Sequence, residues 1–216
     1  MPLDIKICGL STPETVAAAL DGGATHIGFI FFPKSPRNVS PETAGVLRQA
    51  AKDRAQAVAV TVDASDDALD EIVAAMAPDI LQLHGSETPE RVEEVRKRYA
   101  LPVMKALSVA GPQDLLPIQA YVGIADRILL DAKAPKGSEL PGGNGVSFDW
   151  ALLAALDPNL DYMLSGGLTP ENVSEAIRIA RPPGLDVSSG VESTPGVKDA
   201  DLIREFLTAA RAGNAR

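Results

Sequence analysis

The sequence predicts one α/β domain over residues 1–216, a single (β/α)8 barrel of the TIM-barrel class. Short apolar runs rich in β-branched residues alternate eight times with alanine-rich helical segments. Parallel strands need a crossover connection, and eight strand–helix units of this kind close into a barrel. A doubly wound open sheet is the alternative. It usually has fewer strands, and no Gly-x-Gly-x-x-Gly turn follows the first strand.

The eight units can be placed in order along the chain. Each strand is a largely apolar run, as expected when both faces of the strand are buried. The predicted strands are 4–8, 26–32, 56–62, 80–84, 103–107, 127–131, 162–165 and 185–188. The predicted helices are 12–20, 41–52, 66–76, 89–99, 112–120, 148–155, 170–180 and 199–212. Ser11 or Thr12 is placed to cap the first helix, and Ser40 the second.

Charge and cysteine content restrict the class of protein. The formal net charge of −9 argues against nucleic acid or an anionic membrane as the main partner. The single cysteine, Cys8, excludes a disulfide framework within the chain. The first residues lack the pattern of a signal peptide, and no apolar run approaches the roughly 20 residues of a membrane span. We therefore expect a cytoplasmic protein without membrane contact, either a monomer or a homodimer.

Chemically active residues follow most of the predicted strands. In a (β/α)8 barrel the active face lies at the C-terminal ends of the strands. Glycine-bearing turns after strands seven and eight are common phosphate sites, because backbone N–H groups there can face an anion. The candidate residues are Cys8, Arg37, His84, Asp131, Gly142, Gly143, Gly166, Gly167, Asp186, Ser188, Ser189 and Gly190.

Blocks of residues around these candidates follow one another along nearly the whole chain. In order, they are Lys6-Ile7-Cys8-Gly9-Leu10, Gly28-Phe29-Ile30-Phe31, Pro33-Lys34-Ser35-Pro36-Arg37, Leu81-Gln82-Leu83-His84-Gly85, Leu129-Leu130-Asp131, Gly142-Gly143-Asn144-Gly145, Phe148-Asp149-Trp150, Ser165-Gly166-Gly167-Leu168, Asp186-Val187-Ser188-Ser189-Gly190-Val191-Glu192 and Pro195-Gly196-Val197-Lys198-Asp199. In these blocks the sequence resembles the phosphoribosylanthranilate isomerase family. Asn144 departs from the resemblance, since the family often has Thr there.

The resemblance implies an Amadori rearrangement in tryptophan biosynthesis, without a cofactor. It implies that Cys8 is the general base, that Asp131 is the general acid, and that Arg37 meets the carboxylate of the anthranilate. His84, Asp186, Ser188, Ser189 and the loop glycines are then candidates for substrate binding. No metal site is expected, because His84 ends a strand whereas the only other histidine, His26, begins one.

The chemistry suits such a pair of side chains. An aldose-to-ketose rearrangement needs an acid at the ring oxygen and a base at C2, and the substrate nitrogen serves as the electron sink. Strands seven and eight lie between strands six and one on the ring. A phosphate held there would therefore direct the sugar between Asp131 and Cys8.

Each candidate also has a purely structural interpretation. Cys8 could be a buried small hydrophobe. Asp131 could pair with Lys133, and Arg37 could be a solvated loop cation. Lys6 could line the barrel and pair with Asp186.

Four other functions compete with the isomerase. The sister isomerase of histidine biosynthesis carries aspartate at the strand-one position, where this chain has Cys8. A carbon–carbon lyase or synthase would need a strand-end lysine with glutamate partners. A metal-dependent epimerase would need several strand-end His and Asp ligands. A non-catalytic binding subunit would bind a product analogue without turning over substrate.

Overall fold

Eight parallel strands close into a barrel in chain order, and β8 pairs back with β1. The computed structural model describes residues 3–135, 137–138 and 140–214. The barrel that the sequence predicts is thereby confirmed. Its strands are β1 Asp4–Cys8, β2 His26–Phe31, β3 Gln56–Thr61, β4 Ile80–Leu83, β5 Val103–Val109, β6 Arg127–Ala132, β7 Tyr162–Leu164 and β8 Gly184–Val187.

Six α-helices surround the barrel in the described part of the chain. They are α1 Pro13–Asp21, α2 Pro41–Arg48, α3 Asp66–Met76, α4 Pro89–Tyr99, α5 Val173–Ala180 and α6 Ala200–Asn214. The helices expected after strands five and six are short 3-10 helices, Pro112–Ala120 and Trp150–Ala155. Pro117 lies inside the first of these, and its missing N–H and its ring prevent continuation as an α-helix.

Side-chain caps decide where several helices begin. Thr12, and not Ser11, caps α1 by accepting a hydrogen bond from the Thr15 N–H, and Ser40 caps α2. The helix predicted from residue 170 begins only at Val173. The Asn172 side chain accepts from the Thr169 N–H at 2.8 Å and so closes a turn first. None of these shifts moves a predicted strand.

Strand alternation divides the buried residues between two layers. One set of side chains faces the surrounding helices and forms the larger apolar core. The other set points into the barrel and forms a smaller apolar cluster. Six buried polar side chains share these inward positions: Lys6, His26, Gln82, Asp131, Ser165 and Asp186. His26 lies at the N-terminal end of β2. Because polar groups are rarely buried without partners, the other five residues indicate where the chemistry of the fold lies.

A short hairpin after β8 lies outside the pattern that the sequence predicts. Its strands, β9 Glu192–Thr194 and β10 Val197–Lys198, pair antiparallel near the C-terminal ends of the barrel strands. Among the described residues, no helix combines the length and apolar character needed to cross a membrane.

Candidate active site

All twelve candidate residues line one cavity at the C-terminal ends of the strands. Its empty volume is about 740 Å³, which includes solvent space at its mouth. The residues that the sequence places after β1, β2, β4, β6, β7 and β8 are therefore together in space. The wall is completed by apolar side chains, which include Ile30, Phe32, Val60 and Val62.

Cys8 lies beside a buried ion pair inside the barrel. The Lys6 Nζ donates to Asp186 Oδ1 at 2.8 Å, and the Ser165 hydroxyl donates to Asp186 Oδ2 at 3.0 Å. Lys6 is fully buried, and its side chain and the Cys8 sulfur both lie against Gly28 of β2. The pairing of Lys6 with Asp186 was one of the two roles open for these residues. Ser165 and Asp186 thus hold a cation next to the only thiol of the chain.

The protonation of Cys8 reflects two opposing effects. Burial raises the pKa of the thiol, whereas the nearby charges of Lys6 and Lys198 lower it, and the net shift is upward. Burial lowers the pKa of Lys6, but Asp186 and Cys8 more than offset this, so Lys6 stays charged. The pKa of Cys8 is thus held above its ordinary value, and its thiolate, once formed, is a stronger base than that of an ordinary cysteine.

Asp131 faces His84 across the cavity. The Asp131 Oδ2 lies 3.2 Å from His84 Nε2, and the Gln82 Nε2 lies 2.9 Å from His84 Nδ1. Asp131 and Gln82 are both buried. The alternative pairing of Asp131 with Lys133 is wrong, because the Lys133 Nζ extends away and pairs with Asp114 Oδ1 at 3.1 Å.

Arg37 is buried and paired, which corrects its interpretation as a solvated loop cation. Its Nε donates to Glu192 Oε1 at 2.6 Å and its Nη2 to Glu192 Oε2 at 2.9 Å. Lys198 Nζ donates to the same Oε1 at 2.6 Å. Burial raises the pKa of Glu192, but Arg37 and Lys198 lower it by more, so the pKa falls from 4.5 to about 2. Glu192 therefore fixes the guanidinium, and Nη1 is the nitrogen with no hydrogen bond among the described residues.

The loop after β6 crosses directly over these groups. A Cβ on Gly142 would collide with Asp131 Oδ2 and would lie 2.8 Å from His84 Nε2. Gly143 has φ +70°, and a Cβ on it would lie 2.7 Å from Arg37 Nη1. Only residues without a side chain allow the backbone to come this close. The loop thus roofs the cavity above Asp131 and Arg37.

The turns after β7 and β8 form the wall between β6 and β1. Gly166, Gly167, Ser188, Ser189 and Gly190 line the cavity there. This wall is braced from beneath, since the buried Lys198 donates to the Ser188 carbonyl at 2.8 Å. The Ser188 hydroxyl in turn donates to the Cys8 carbonyl at 3.2 Å. Within the described residues, no group of three or more His, Cys, Asp or Glu side chains is placed to hold a metal ion.

Four residues of this arrangement were not among the sequence candidates: Gln82, Ser165, Glu192 and Lys198. Gln82 and Ser165 could have been found from strand parity, because they are polar residues at inward positions of apolar strands. Glu192 and Lys198 belong to the hairpin that the sequence pattern did not indicate. The contact between Glu192 and Arg37 joins positions 155 apart, which is about three quarters of the chain length.

Comparison with known proteins identifies the family. A family model described as N-(5'-phosphoribosyl)anthranilate (PRA) isomerase matches residues 5–209. The chain is 65% identical over 216 residues to the N-(5'-phosphoribosyl)anthranilate isomerase of Chelativorans sp. (strain BNC1), covering 100% of this chain and 99% of the relative. It is 66% identical to the protein of the same name from Brucella canis, covering 100% and 97%.

Solved structures agree with this assignment. The phosphoribosyl anthranilate isomerase of Thermotoga maritima is similar with a TM-score of 0.87 at 36% identity, covering 98% of this chain and 100% of that one. A phosphoribosyl anthranilate isomerase in complex with reduced 1-(o-carboxyphenylamino)-1-deoxyribulose 5-phosphate is similar with a TM-score of 0.85 at 33% identity, with the same coverage. This enzyme belongs to the N-(5'-phosphoribosyl)anthranilate isomerase family.

Proposed function

We propose that this enzyme converts N-(5-phosphoribosyl)anthranilate into 1-(2-carboxyphenylamino)-1-deoxyribulose 5-phosphate in tryptophan biosynthesis, with Cys8 as general base and Asp131 as general acid. One observation supports this most directly. Cys8 and Asp131 line the same cavity from β1 and β6, and the glycine-bearing turns of β7 and β8 lie between them. A phosphate bound at those turns would direct its sugar between the base and the acid.

The two ends of the substrate fit different walls of the cavity. Backbone N–H groups around Gly166, Gly167 and Gly190 suit the phosphate. The anthranilate carboxylate would meet Nη1 of Arg37, which has no hydrogen bond among the described residues, while Glu192 holds Nε and Nη2 in place. The related structure that binds a reduced aminodeoxyribulose phosphate supports this class of ligand.

The reaction then needs two proton movements. Asp131 donates its proton to the ring oxygen as the C1–O bond breaks, and the nitrogen lone pair forms the C1=N bond of a protonated Schiff base. The Cys8 thiolate removes the C2 proton. The electrons of that C–H bond form C1=C2, and the C1=N pair returns to nitrogen. The resulting enol–amine becomes the ketone by losing the O2 proton and gaining one at C1.

The surroundings of Cys8 suit a base of this kind. Lys6 lies beside the sulfur and would balance the charge of the thiolate. Asp186 and Ser165 keep Lys6 in that place. Since the substrate nitrogen accepts the electrons, we propose that no cofactor takes part. A single domain, a cytoplasmic location and a monomeric or homodimeric state stay predictions from the sequence.

Turnover of freshly generated phosphoribosylanthranilate tests the proposal. We expect an enzyme-dependent loss of substrate fluorescence and formation of the aminodeoxyribulose phosphate. The two-phosphate substrate of the sister isomerase serves as the control and should not react. Turnover of that substrate alone would contradict the proposal in favour of the sister reaction. Binding of a reduced product analogue without turnover of either substrate would indicate a non-catalytic binding protein.

A further inference from the structure

Gln82 occupies a place in the barrel that packing alone would give to an apolar residue. It is fully buried at an inward position of β4. Its register partners on the two neighbouring strands are Val60 and Met104, which are both buried and both belong to the inner apolar cluster. A primary amide in such surroundings is destabilising unless its polar atoms find partners.

Only one end of this amide has a partner among the described residues. Gln82 Nε2 lies 2.9 Å from His84 Nδ1, whereas Gln82 Oε1 is buried without a hydrogen bond. A methionine would fill the same space and leave no carbonyl unsatisfied. The contact with His84 is therefore what the glutamine adds to this layer of the barrel.

This contact decides which nitrogen of His84 carries the proton. An amide N–H can only donate, so Nδ1 must present its lone pair and the proton of the neutral ring lies on Nε2. The Nε2 atom faces Asp131 Oδ2 at 3.2 Å. The arrangement in the structure thus suits an ionised Asp131, which accepts hydrogen bonds only.

A protonated Asp131 requires the opposite arrangement. Its hydroxyl group would donate to Nε2, so His84 must then carry its proton on Nδ1, and Nδ1–H needs an acceptor. Gln82 Oε1 has no hydrogen-bond partner among the described residues. It becomes this acceptor when the terminal amide flips by about 180°, which exchanges the positions of its oxygen and nitrogen. A proton taken up from solvent at Nδ1, while the Nε2 proton passes to Asp131 Oδ2, converts one state into the other. His84 then gains one proton and loses one.

We infer that Gln82 is a positioning residue whose amide lets His84 match both protonation states of Asp131. This inference rests on the proposed role of Asp131 as the acid. Gln82 acts through His84 and does not touch the reacting atoms. It explains why an amide stands between the apolar residues Val60 and Met104 with one atom that has no partner among the described residues. It also explains why that amide is adjacent to His84.

Three variants separate this role from packing. Gln82→Met fills the space but can neither donate nor accept, and ionised Gln82→Glu can only accept. We expect kcat to fall by about 10–100-fold in both, with KM within about threefold of wild type, as is typical of residues that orient a reacting group. Met104→Leu, at the register position beside Gln82 on β5, should keep kcat and so serves as the packing control.

Nitrogen NMR of ¹⁵N-histidine-labelled enzyme reads the tautomer directly. The chain has two histidines, so a His84→Asn variant assigns the signals. At about pH 8, where an ordinary histidine is neutral, wild type should carry the His84 proton on Nε2. Gln82→Glu should move it to Nδ1, and Gln82→Met should give a mixture. A loss of stability alone would leave the tautomer unchanged.

Two results would overturn the inference. One is a Gln82→Met enzyme with the wild-type tautomer and with kcat within about twofold of wild type. The other is a free wild-type enzyme that carries the His84 proton on Nδ1, because this contradicts the hydrogen bond from Gln82. The wild-type spectrum therefore decides even if neither Gln82 variant folds. Failure of wild type to turn over phosphoribosylanthranilate would instead refute the proposed function, and it leaves the tautomer result readable on its own.

Discussion

The two ends of the barrel hold their charges in different ways. At the N-terminal ends of the strands, Arg127 pairs with Asp4 and Asp161, each at 2.8 Å, and the three side chains are 13%, 34% and 56% exposed. At the C-terminal ends, the pairs Lys6–Asp186 and Arg37–Glu192 are at most 5% exposed. Pairs of the first kind contribute little to stability, and buried pairs often contribute less than apolar residues would.

The difference indicates what each end of the barrel does. The ion pairs at the N-terminal ends stay in contact with solvent, so their charges lose little hydration free energy. Solubility and orientation of the loops are enough to explain them. Burial of charge at the C-terminal ends is costly, and each of the two carboxylates has a further partner there: Ser165 for Asp186, and Lys198 for Glu192. Arg37 and Asp186 line the cavity that also contains Cys8 and Asp131, the proposed base and acid. The buried pair Lys105–Glu87 lies outside that cavity, so burial of an ion pair does not by itself mark the site.

The largest expected effect comes from the proposed acid. Asp131→Asn keeps the shape of the side chain and removes its ionisable proton, so kcat should fall on the order of 10²–10⁴-fold. The thermal midpoint should change little, because the contact with His84 survives. Steady-state fluorescence assays with a melting curve measure both. A kcat within about tenfold of wild type would remove Asp131 from the mechanism.

Acid titration should separate the two ends by pH. At the C-terminal ends of the strands, the ion pairs of Glu192 lower its pKa from 4.5 to about 2. Its contribution to stability is therefore complete above pH 4.5 and is lost as the pH falls toward 2. At the bottom, burial lowers the pKa of His26 from 6.5 to about 4, so its neutral form is favourable above pH 6.5 and costs stability as the pH falls toward 4.

Urea unfolding of two variants at several pH values tests these windows. Glu192→Gln should reduce the pH dependence of the free energy of unfolding only in the lower window, below pH 4.5. His26→Gln should reduce it only in the upper window, between pH 6.5 and 4. The two variants serve as controls for each other. The same pH dependence in both variants as in wild type would show that neither group dominates the acid response of its end.

Arg37 should affect binding more than chemistry. Loss of a hydrogen bond to a charged ligand costs about 1.5–3 kcal/mol, so Arg37→Ala should raise KM by roughly 10–100-fold. Arg37→Lys keeps the charge but loses the two parallel hydrogen bonds from Nε and Nη2 to Glu192. It should therefore recover only part of the lost substrate affinity. Full recovery in the lysine variant would mean that charge alone, without orientation by Glu192, is enough.

The smallest effect is expected at the bottom of the barrel. Arg127→Met removes two partly exposed ion pairs and should lower the free energy of unfolding by no more than about 1 kcal/mol. Its kcat and KM should match those of wild type. A variant that loses activity but keeps its stability would contradict the separation of the N-terminal end of the barrel from catalysis.

The strands were predictable because their apolar runs are long enough to show burial on both faces. The same alternation places Lys6, Gln82 and Asp186 inside the barrel, so much of the site follows once the fold is known. Helix boundaries were less predictable. They depend on single local contacts, such as the turn that Asn172 closes before α5 and the proline at 117.

The part of the site that the sequence did not indicate depends on distant contacts. Glu192 and Lys198 lie in strands of three and two residues, too short for any periodicity to be visible. Nothing local to Arg37 indicates that its partner follows 155 residues later. The direction of the Cys8 pKa shift cannot be read from the sequence either. It depends on the balance between burial and the charges of Lys6 and Lys198, and that balance is set by the fold.

The most direct test of the central claim compares wild type and Cys8→Ala on freshly generated phosphoribosylanthranilate, followed by the loss of its fluorescence. Binding of the reduced aminodeoxyribulose phosphate to the variant is the control for an intact cavity. We predict rapid loss with wild type, no loss above background with Cys8→Ala, and nearly unchanged binding of the analogue. A Cys8→Ala enzyme that turns over substrate within about tenfold of the wild-type rate would show that the base lies elsewhere.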